Sequence, residues 1–83
     1  MPSSLHSTNY LAFVAHLVEL RQRKGVTQAE LAAILGKPQS FVSKIERAER
    51  RMDPEEFRAI VSALGSDPGD EFAAVGRFLE SRR

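Results

Sequence analysis

The sequence TQAELAAILGKPQSFVSKIER, residues 27–47, decides how this chain folds. Thr27 followed three residues later by Glu30 is typical of a capping box, so we expect a helix to begin just after Thr27. Gly36 suits the end of that helix, because glycine adopts a positive φ at little cost. Pro38 has no backbone N–H and therefore suits the first turn of the next helix. The stretch predicts two short helices joined by a tight turn.

Each of the two predicted helices has an apolar side, which in the first helix contains Leu31, Ile34 and Leu35. Leu31 and Leu35 in the first helix and Val42 and Ile45 in the second are spaced so that they can converge on one core. Ala32 lies where the helices would cross, and a larger side chain there would push them apart. This is the pattern of a helix-turn-helix, which cannot bury its apolar side alone and needs flanking helices as walls.

A helix is predicted before this unit. Ser7, Thr8 or Asn9 can cap its start, and Gly25 ends it after several cations. Its apolar residues recur at helical spacing. They are Tyr10, Phe13, Val14, Leu17, Val18 and Leu20.

Two more helices are predicted after the unit. Each opens with an Asp-Pro pair, Asp53-Pro54 and Asp67-Pro68, which combines a cap with a proline in the first turn. The apolar residues of the fourth helix are Phe57, Ile60, Val61 and Leu64, and those of the fifth are Phe72, Val75, Phe78 and Leu79. No segment alternates with a period of two, so the prediction is an all-α fold.

Composition limits the alternatives. The chain has 83 residues, 42% hydrophobic content and no cysteine, which predicts one domain stabilised by helix packing without disulfides. We expect a flexible arm at residues 1–8, the helix-turn-helix domain at residues 9–66 and a C-terminal helix at residues 67–83. No apolar run reaches the ~20 residues that span a bilayer, and the first residues lack the pattern of a secretion signal. A cytoplasmic protein without membrane contact is the expectation.

Charge is segregated along the sequence. The segment from Leu20 to Arg51 holds eight cations and three anions, a net charge of +5, whereas the rest holds four cations and eight anions, a net charge of −4. The positive segment coincides with the helix-turn-helix, which indicates a partner that carries negative charge.

The run LRQRKGVTQAELAAILGKPQSFVSKIERAERRMDPEEFRAIVSALG, residues 20–65, resembles the Cro/cI-type (XRE) helix-turn-helix family of DNA-binding repressors. The matching positions are Leu20-Arg21, Gly25, Thr27-Gln28, Glu30-Leu31-Ala32, Gly36, Gln39-Ser40, Val42-Ser43, Ile45-Glu46 and Leu64-Gly65. The resemblance implies a compact bundle of four or five helices, a lambda-repressor-like DNA-binding domain, whose third helix enters the major groove. The C-terminal helix from Pro68 lies outside the common pattern of the family, and with it we expect a compact five-helix bundle. The chain departs from the family at Ala48, where glycine is common. Either Ala48 is left-handed, at a cost on the order of 1 kcal/mol, or the turn differs from that of the family.

The resemblance also implies which residues read bases. In the major groove glutamine can bind adenine, lysine favours guanine, and serine is adaptable. Phe41 is open between contact with a thymine methyl or the sugar backbone and packing against the bundle. The base-reading candidates are Gln39, Ser40, Lys44 and Phe41.

Other residues are expected to bind the DNA backbone. The family uses a glutamine at the position of Gln28, where the start of a helix favours a phosphate. The full set of candidates is Gln28, Thr27, Lys37, Ser43, Arg47, Arg50 and Arg51. Family register further pairs Arg21 with Glu46, which would tie the reading helix to its support.

The sequence therefore predicts a sequence-specific DNA-binding transcriptional regulator, expected to be a repressor that binds a palindromic operator as a homodimer. The alternative is a protein-interaction module, such as an antitoxin or a coactivator-like adaptor, with a toxin or effector as partner. Its support is an apolar stripe that could complete the core, form a dimer interface or dock another protein: Phe72, Val75, Phe78 and Leu79.

No enzyme and no cofactor are expected. The histidines are His6 and His16, and neither stands at a spacing typical of metal ligands, so no metal site is predicted. No glycine-rich phosphate loop is present, and no serine has a histidine and an acid in a recognisable arrangement.

Overall fold

The computed structural model describes residues 7–81, which form five α-helices: α1 (Thr8–Arg23), α2 (Gln28–Leu35), α3 (Gln39–Glu46), α4 (Pro54–Ala63) and α5 (Pro68–Ser81). All regular secondary structure in this range is helical. The all-α fold predicted from the sequence is confirmed.

Local sequence signals place the helix starts. The Ser7 side chain caps α1 by accepting from the N–H of Tyr10 at 3.1 Å. Capping boxes with reciprocal hydrogen bonds open α2, between Thr27 and Glu30, and α4, between Asp53 and Glu56. The predicted N-terminal arm therefore overlaps the start of α1 at residues 7 and 8, and the rest of it lies outside the described residues.

One hydrophobic core joins α1 to α4. It contains Leu17 and Leu20 of α1, Leu31 and Ala32 of α2, Val42 and Ile45 of α3, Phe57, Ile60 and Val61 of α4, and Leu64 just after α4. The first and fourth helices thus supply the walls that the helix-turn-helix needs. At roughly 1.5–3 kcal/mol per fully buried large apolar side chain, this cluster accounts for most of the favourable burial.

A second, smaller cluster lies where α1 meets the loop after α3. Tyr10, Val14 and Ala48 are buried there. Ala48 has φ 58°, a positive value that is uncommon outside glycine. The left-handed turn anticipated at this departure from the family is therefore present, with a buried methyl group on it.

Ile34 is an exception to the predicted apolar side of α2. Its side chain is 61% exposed, whereas Leu31 is buried and Leu35 is half-buried. Residues 31 and 34 lie only about 60° apart around the helix axis, yet one is buried and the other is exposed. The buried stripe of α2 is therefore narrower than the sequence suggested.

Candidate nucleic-acid interface

The turn between α2 and α3 sets the direction of α3. Gly36 has φ 68° in the left-handed region, and its N–H is bonded back to the carbonyl of Ala33 at 3.2 Å. The N–H of Lys37 reaches the carbonyl of Ala32 at 3.0 Å. Pro38 then stands at the N-cap position with φ −69°. The proline ring fixes φ on one side of the corner, and glycine on the other side adopts the positive φ of the turn at little cost.

The third helix has two distinct faces. Val42 and Ile45 are 2% and 3% exposed and pack into the core. Gln39, Ser40 and Lys44 are exposed. The exposed side of α3 thus presents an amide and a hydroxyl in its first turn and an ammonium group in its last turn. The opposite side is held by apolar contacts.

Arg21 and Glu46 form the ion pair that family register indicated. The guanidinium donates to both carboxylate oxygens, at 2.6 Å from Nε and 3.0 Å from Nη2, and donates a third bond to the carbonyl of Val26 at 2.8 Å. The two side chains are only 11% and 13% exposed. Bidentate pairs of this kind are geometrically specific, so the end of α3 is fixed against α1.

Two glutamines extend this network toward the exposed face. Nε2 of Gln28 donates to Oε1 of Glu46 at 2.8 Å. Nε2 of Gln39 lies 3.4 Å from Oε1 of Gln28, at the long end of hydrogen-bond distance. The first residue of α2 and the first residue of α3 are therefore linked side by side.

Phe41 lies between two cations. The ring is half-buried, with Nζ of Lys37 5.4 Å and Cζ of Arg50 4.8 Å from its centroid. These distances are within the range of cation–π attraction. The structure therefore shows the packing role that the sequence left open for Phe41.

Arg50 is also held by a carboxylate. It donates to both oxygens of Glu56 at 2.7 and 2.8 Å. The hydrogen bond from Arg50 lowers the pKa of Glu56, and the same bond raises the pKa of Arg50. Arg50 consequently braces the loop between α3 and α4 against the start of α4.

Arg47 and Arg51 have partners as well. Arg47 donates to Oγ of Ser43 at 2.7 Å and to the carboxylate of Glu49, whose pKa is lowered chiefly by this hydrogen bond. The guanidinium of Arg51 lies 4.3 Å from the centre of the Tyr10 ring. The candidate phosphate ligands of this loop are thus oriented by the protein itself.

Sequence reasoning missed two residues of this region. The sequence gives no signal that pairs Glu56 with Arg50, and it places Tyr10 only on the apolar side of α1. The Tyr10 hydroxyl accepts from the backbone N–H of Met52 at 3.2 Å, which ties the loop to α1. A buried tyrosine normally needs a hydrogen-bond partner; that was the available signal.

The apolar stripe of α5 divides in the structure. Val75 is 3% exposed and packs inward, which supports the core role among the three that the sequence left open for this stripe. Phe72 and Phe78 are 67% and 42% exposed, and Leu79 is half-buried. The ring of Phe72 approaches Phe57 of α4 at 6.0 Å and that of Phe78 approaches His16 of α1 at 6.2 Å. The two phenylalanines therefore flank Val75 on opposite sides of α5.

Two further properties follow from residues 7–81. No group of three or more His, Cys, Asp or Glu side chains in this range is placed to hold a metal ion; His6 lies outside it. His16 instead pairs with Glu71, at 3.2 Å from Nε2 to Oε1. None of the helices in the described range is both long and apolar enough to cross a membrane.

Comparison with known proteins gives three findings. The family model described as helix-turn-helix matches residues 17–70. Among solved structures, an XRE-family like protein from Pseudomonas syringae pv. tomato str. DC3000 is 46% identical in sequence and superposes with a TM-score of 0.78. That match covers 95% of this chain and 92% of the other. Among curated proteins, nothing matches significantly.

Proposed function

Because this chain belongs to the XRE-type helix-turn-helix family of DNA-binding transcription regulators, we propose that it represses transcription by binding a palindromic operator as a homodimer. Its third helix enters the major groove, and the exposed face of that helix reads bases. The observation that carries the proposal is the two-faced third helix: Val42 and Ile45 hold it from behind, while Gln39, Ser40 and Lys44 face solvent.

Base reading is assigned to the exposed face of α3. An α-helix with its side chains is about 10–12 Å across, which fits the ~12 Å width of a major groove. Gln39 offers both a donor and an acceptor, Ser40 either one, and Lys44 donors alone. Phe41 supports this face from behind through its contacts with Lys37 and Arg50.

Phosphate binding is assigned to the rim of that face. Gln28 donates one of its two amide hydrogens to Glu46, which leaves the other for a phosphate beside the start of α2. Thr27, Lys37, Ser43, Arg47, Arg50 and Arg51 complete the set. The carboxylate partners of Arg47 and Arg50 still allow these arginines to bind phosphates. A DNA phosphate can take the place of Glu49 beside Arg47, or it can share Arg50 with Glu56.

Homodimer formation is supported by size. The described chain measures 35 × 28 × 21 Å, and successive major-groove faces on one side of DNA are ~34 Å apart. One protomer therefore covers one half-site, and a pair covers two. The exposed Phe72, next to an open groove lined by Phe13, Met52 and Phe57, is the apolar surface that we assign to the second copy.

The test is enrichment of random duplex DNA against the purified protein, followed by gel shifts with the enriched and the random duplexes. We expect a two-fold symmetric sequence, and we expect affinity to fall steeply with salt, by roughly one unit of logarithmic slope per phosphate contact. Enrichment of no sequence would contradict the proposal. Enrichment of a single asymmetric half-site would contradict the homodimer alone.

The same groove favours a second candidate function, that of a protein-interaction module. Its volume is about 480 Å³ and Phe72 at its edge is 67% exposed, a surface that could dock an apolar segment of another protein. Such a module would show no enriched DNA sequence, so the same experiment separates the two functions.

A further inference from the structure

A chain of hydrogen bonds begins at the Glu46 carboxylate, and in it each group has a fixed role as donor or acceptor. Arg21 can only donate, and an ionised carboxylate can only accept. Glu46 therefore accepts two bonds from Arg21 and must also accept from any third group that approaches its oxygens. The third group is the Gln28 side chain, whose Nε2 is 2.8 Å from Oε1 of Glu46.

This contact decides which way the amide of Gln28 points. With its nitrogen turned toward Glu46, its oxygen faces the first turn of α3, where Nε2 of Gln39 lies 3.4 Å away. The reverse orientation would place the oxygen of Gln28 against the carboxylate, so that two acceptors would face each other without a hydrogen between them.

The orientation of the Gln28 amide in turn sets the orientation of the Gln39 amide. One amide hydrogen of Gln39 is directed to Gln28, and the remaining hydrogen and the oxygen are left on the exposed side of α3. This pair matches the N7 acceptor and N6 donor of adenine, whereas guanine presents two acceptors at the same edge.

We propose that Glu46 is a positioning residue: through Gln28 it fixes the amide of Gln39 in the orientation that reads adenine. The inference rests on the proposed function, because it requires that Gln39 faces a base. Glu46 touches no DNA in this arrangement, since its side chain is 13% exposed beneath Arg21 and Gln28.

The decisive variant is Glu46→Gln, which keeps the shape of the side chain. Its amide can either donate or accept, so Gln28 can adopt both orientations.

Random duplexes are enriched against the wild-type protein, Glu46→Gln and Gln39→Ala. We expect the wild type to prefer adenine about ten-fold at one position of each half-site, as a bidentate contact allows. We expect Glu46→Gln to lower that preference to about two-fold while the preferences at other positions stay unchanged.

Two controls separate positioning from stability. Glu19→Gln removes one negative charge from an exposed pair with Arg23 and should keep the wild-type preferences. If Glu46→Gln does not fold, as judged by circular dichroism, Glu46→Asp takes its place, because it keeps a negative charge for Arg21 while its shorter side chain withdraws the carboxylate from Gln28. We expect Glu46→Asp to lower the preference at the same single position.

The outcomes are distinct. Loss of preference at the one position that Gln39→Ala also affects supports the inference. Unchanged preferences, or an equal loss at every position, would overturn it and leave the proposed function standing. If the wild-type protein enriches no sequence at all, the proposed function fails and this inference fails with it.

Discussion

Gln39 is the residue with the most direct expected effect on specificity. It is exposed at the first turn of α3 and linked to Gln28. We expect Gln39→Ala to weaken binding to the enriched operator by ~1–3 kcal/mol and to relax the preference at one base position, because a bidentate base contact is worth about that much. Gel shifts with operators that vary at each position would measure both effects.

The matched controls are Gln22→Ala and Arg47→Ala. Gln22 is an exposed glutamine of α1 and should change neither affinity nor preference. Arg47, at the rim, should weaken operator and random duplexes alike. Equal losses on operator and random DNA for Gln39→Ala would count against base reading.

Ala48 is a residue at which two effects oppose each other. Its positive φ of 58° strains any residue with a Cβ, while the residue is only 2% exposed and packs beside Tyr10 and Val14. Ala48→Gly relieves about 1 kcal/mol of backbone strain and loses about 0.8 kcal/mol of burial. We therefore expect urea unfolding to show a change within about 1 kcal/mol.

Ala48→Val should behave differently. A β-branched side chain is strongly disfavoured at positive φ, and its added methyl groups would overfill the cluster, so we expect a loss of about 2–4 kcal/mol. Ala73→Val on exposed α5 is the control and should cost well under 1 kcal/mol. Similar losses at the two positions would show that φ at residue 48 is not a constraint.

Among the elements, the start of α4 is the part of the bundle that holds the loop between α3 and α4. Glu56 takes part in the capping box with Asp53 and pairs with Arg50. Its pKa in the folded chain is lowered, chiefly by the hydrogen bond from Arg50, below the ordinary value of 4.5. A lowered pKa stabilises the folded state above that value, and the contribution is lost as pH falls through the folded pKa.

We therefore expect the free energy of unfolding to fall as pH drops below about 4.5, where the unfolded chain starts to bind protons that the folded chain does not. Glu56→Gln should make that decline shallower and lower the stability at pH 7. Urea unfolding at pH 7, 5, 4 and 3 measures both changes. Glu19→Gln is the control for the loss of one negative charge, and an equal effect of both variants would contradict the role of Arg50.

Element boundaries were the part of the fold that the sequence predicted best. Thr27 with Glu30, Gly36 and Asp53-Pro54 act through neighbours three or four residues away, so their signals are complete within a short window. The contact of Arg21 with Glu46 spans 25 residues and was predicted only through family resemblance.

Contacts between elements account for what was missed. Arg50 with Glu56 and Tyr10 with Met52 depend on how the loop packs, and no sequence spacing encodes that. The stripe on α5 was predicted correctly as helical, but the periodicity could not tell Val75, which is buried, from Phe72, which is not.

At the scale of the whole molecule, the homodimer is the property that most needs a test. Phe72 is 67% exposed beside an apolar groove, whereas Phe78 stands on the opposite flank of α5. We expect the wild-type protein to sediment as a dimer and Phe72→Asp to sediment as a monomer, because a carboxylate buried in an apolar interface is strongly unfavourable.

Phe78→Asp and Leu11→Asp are the comparisons. Leu11 is 45% exposed on α1 and lies outside the assigned interface, so Leu11→Asp should keep the dimer. A dimer that survives Phe72→Asp but dissociates with Phe78→Asp would move the interface to the side of His16. A mass that neither phenylalanine substitution changes would remove the idea that α5 forms the interface.

The loop between α3 and α4 has a thermodynamic consequence. It is fastened to α1 through Tyr10 and to α4 through Glu56, so little of it is left to order when DNA arrives. Titration calorimetry should accordingly give a heat-capacity change that the apolar area buried in the complex explains, without the excess that accompanies a segment folding on its target. Tyr10→Phe removes the hydrogen bond between the Tyr10 hydroxyl and the loop. We expect this variant to bind DNA with a larger unfavourable entropy while the base contacts stay the same.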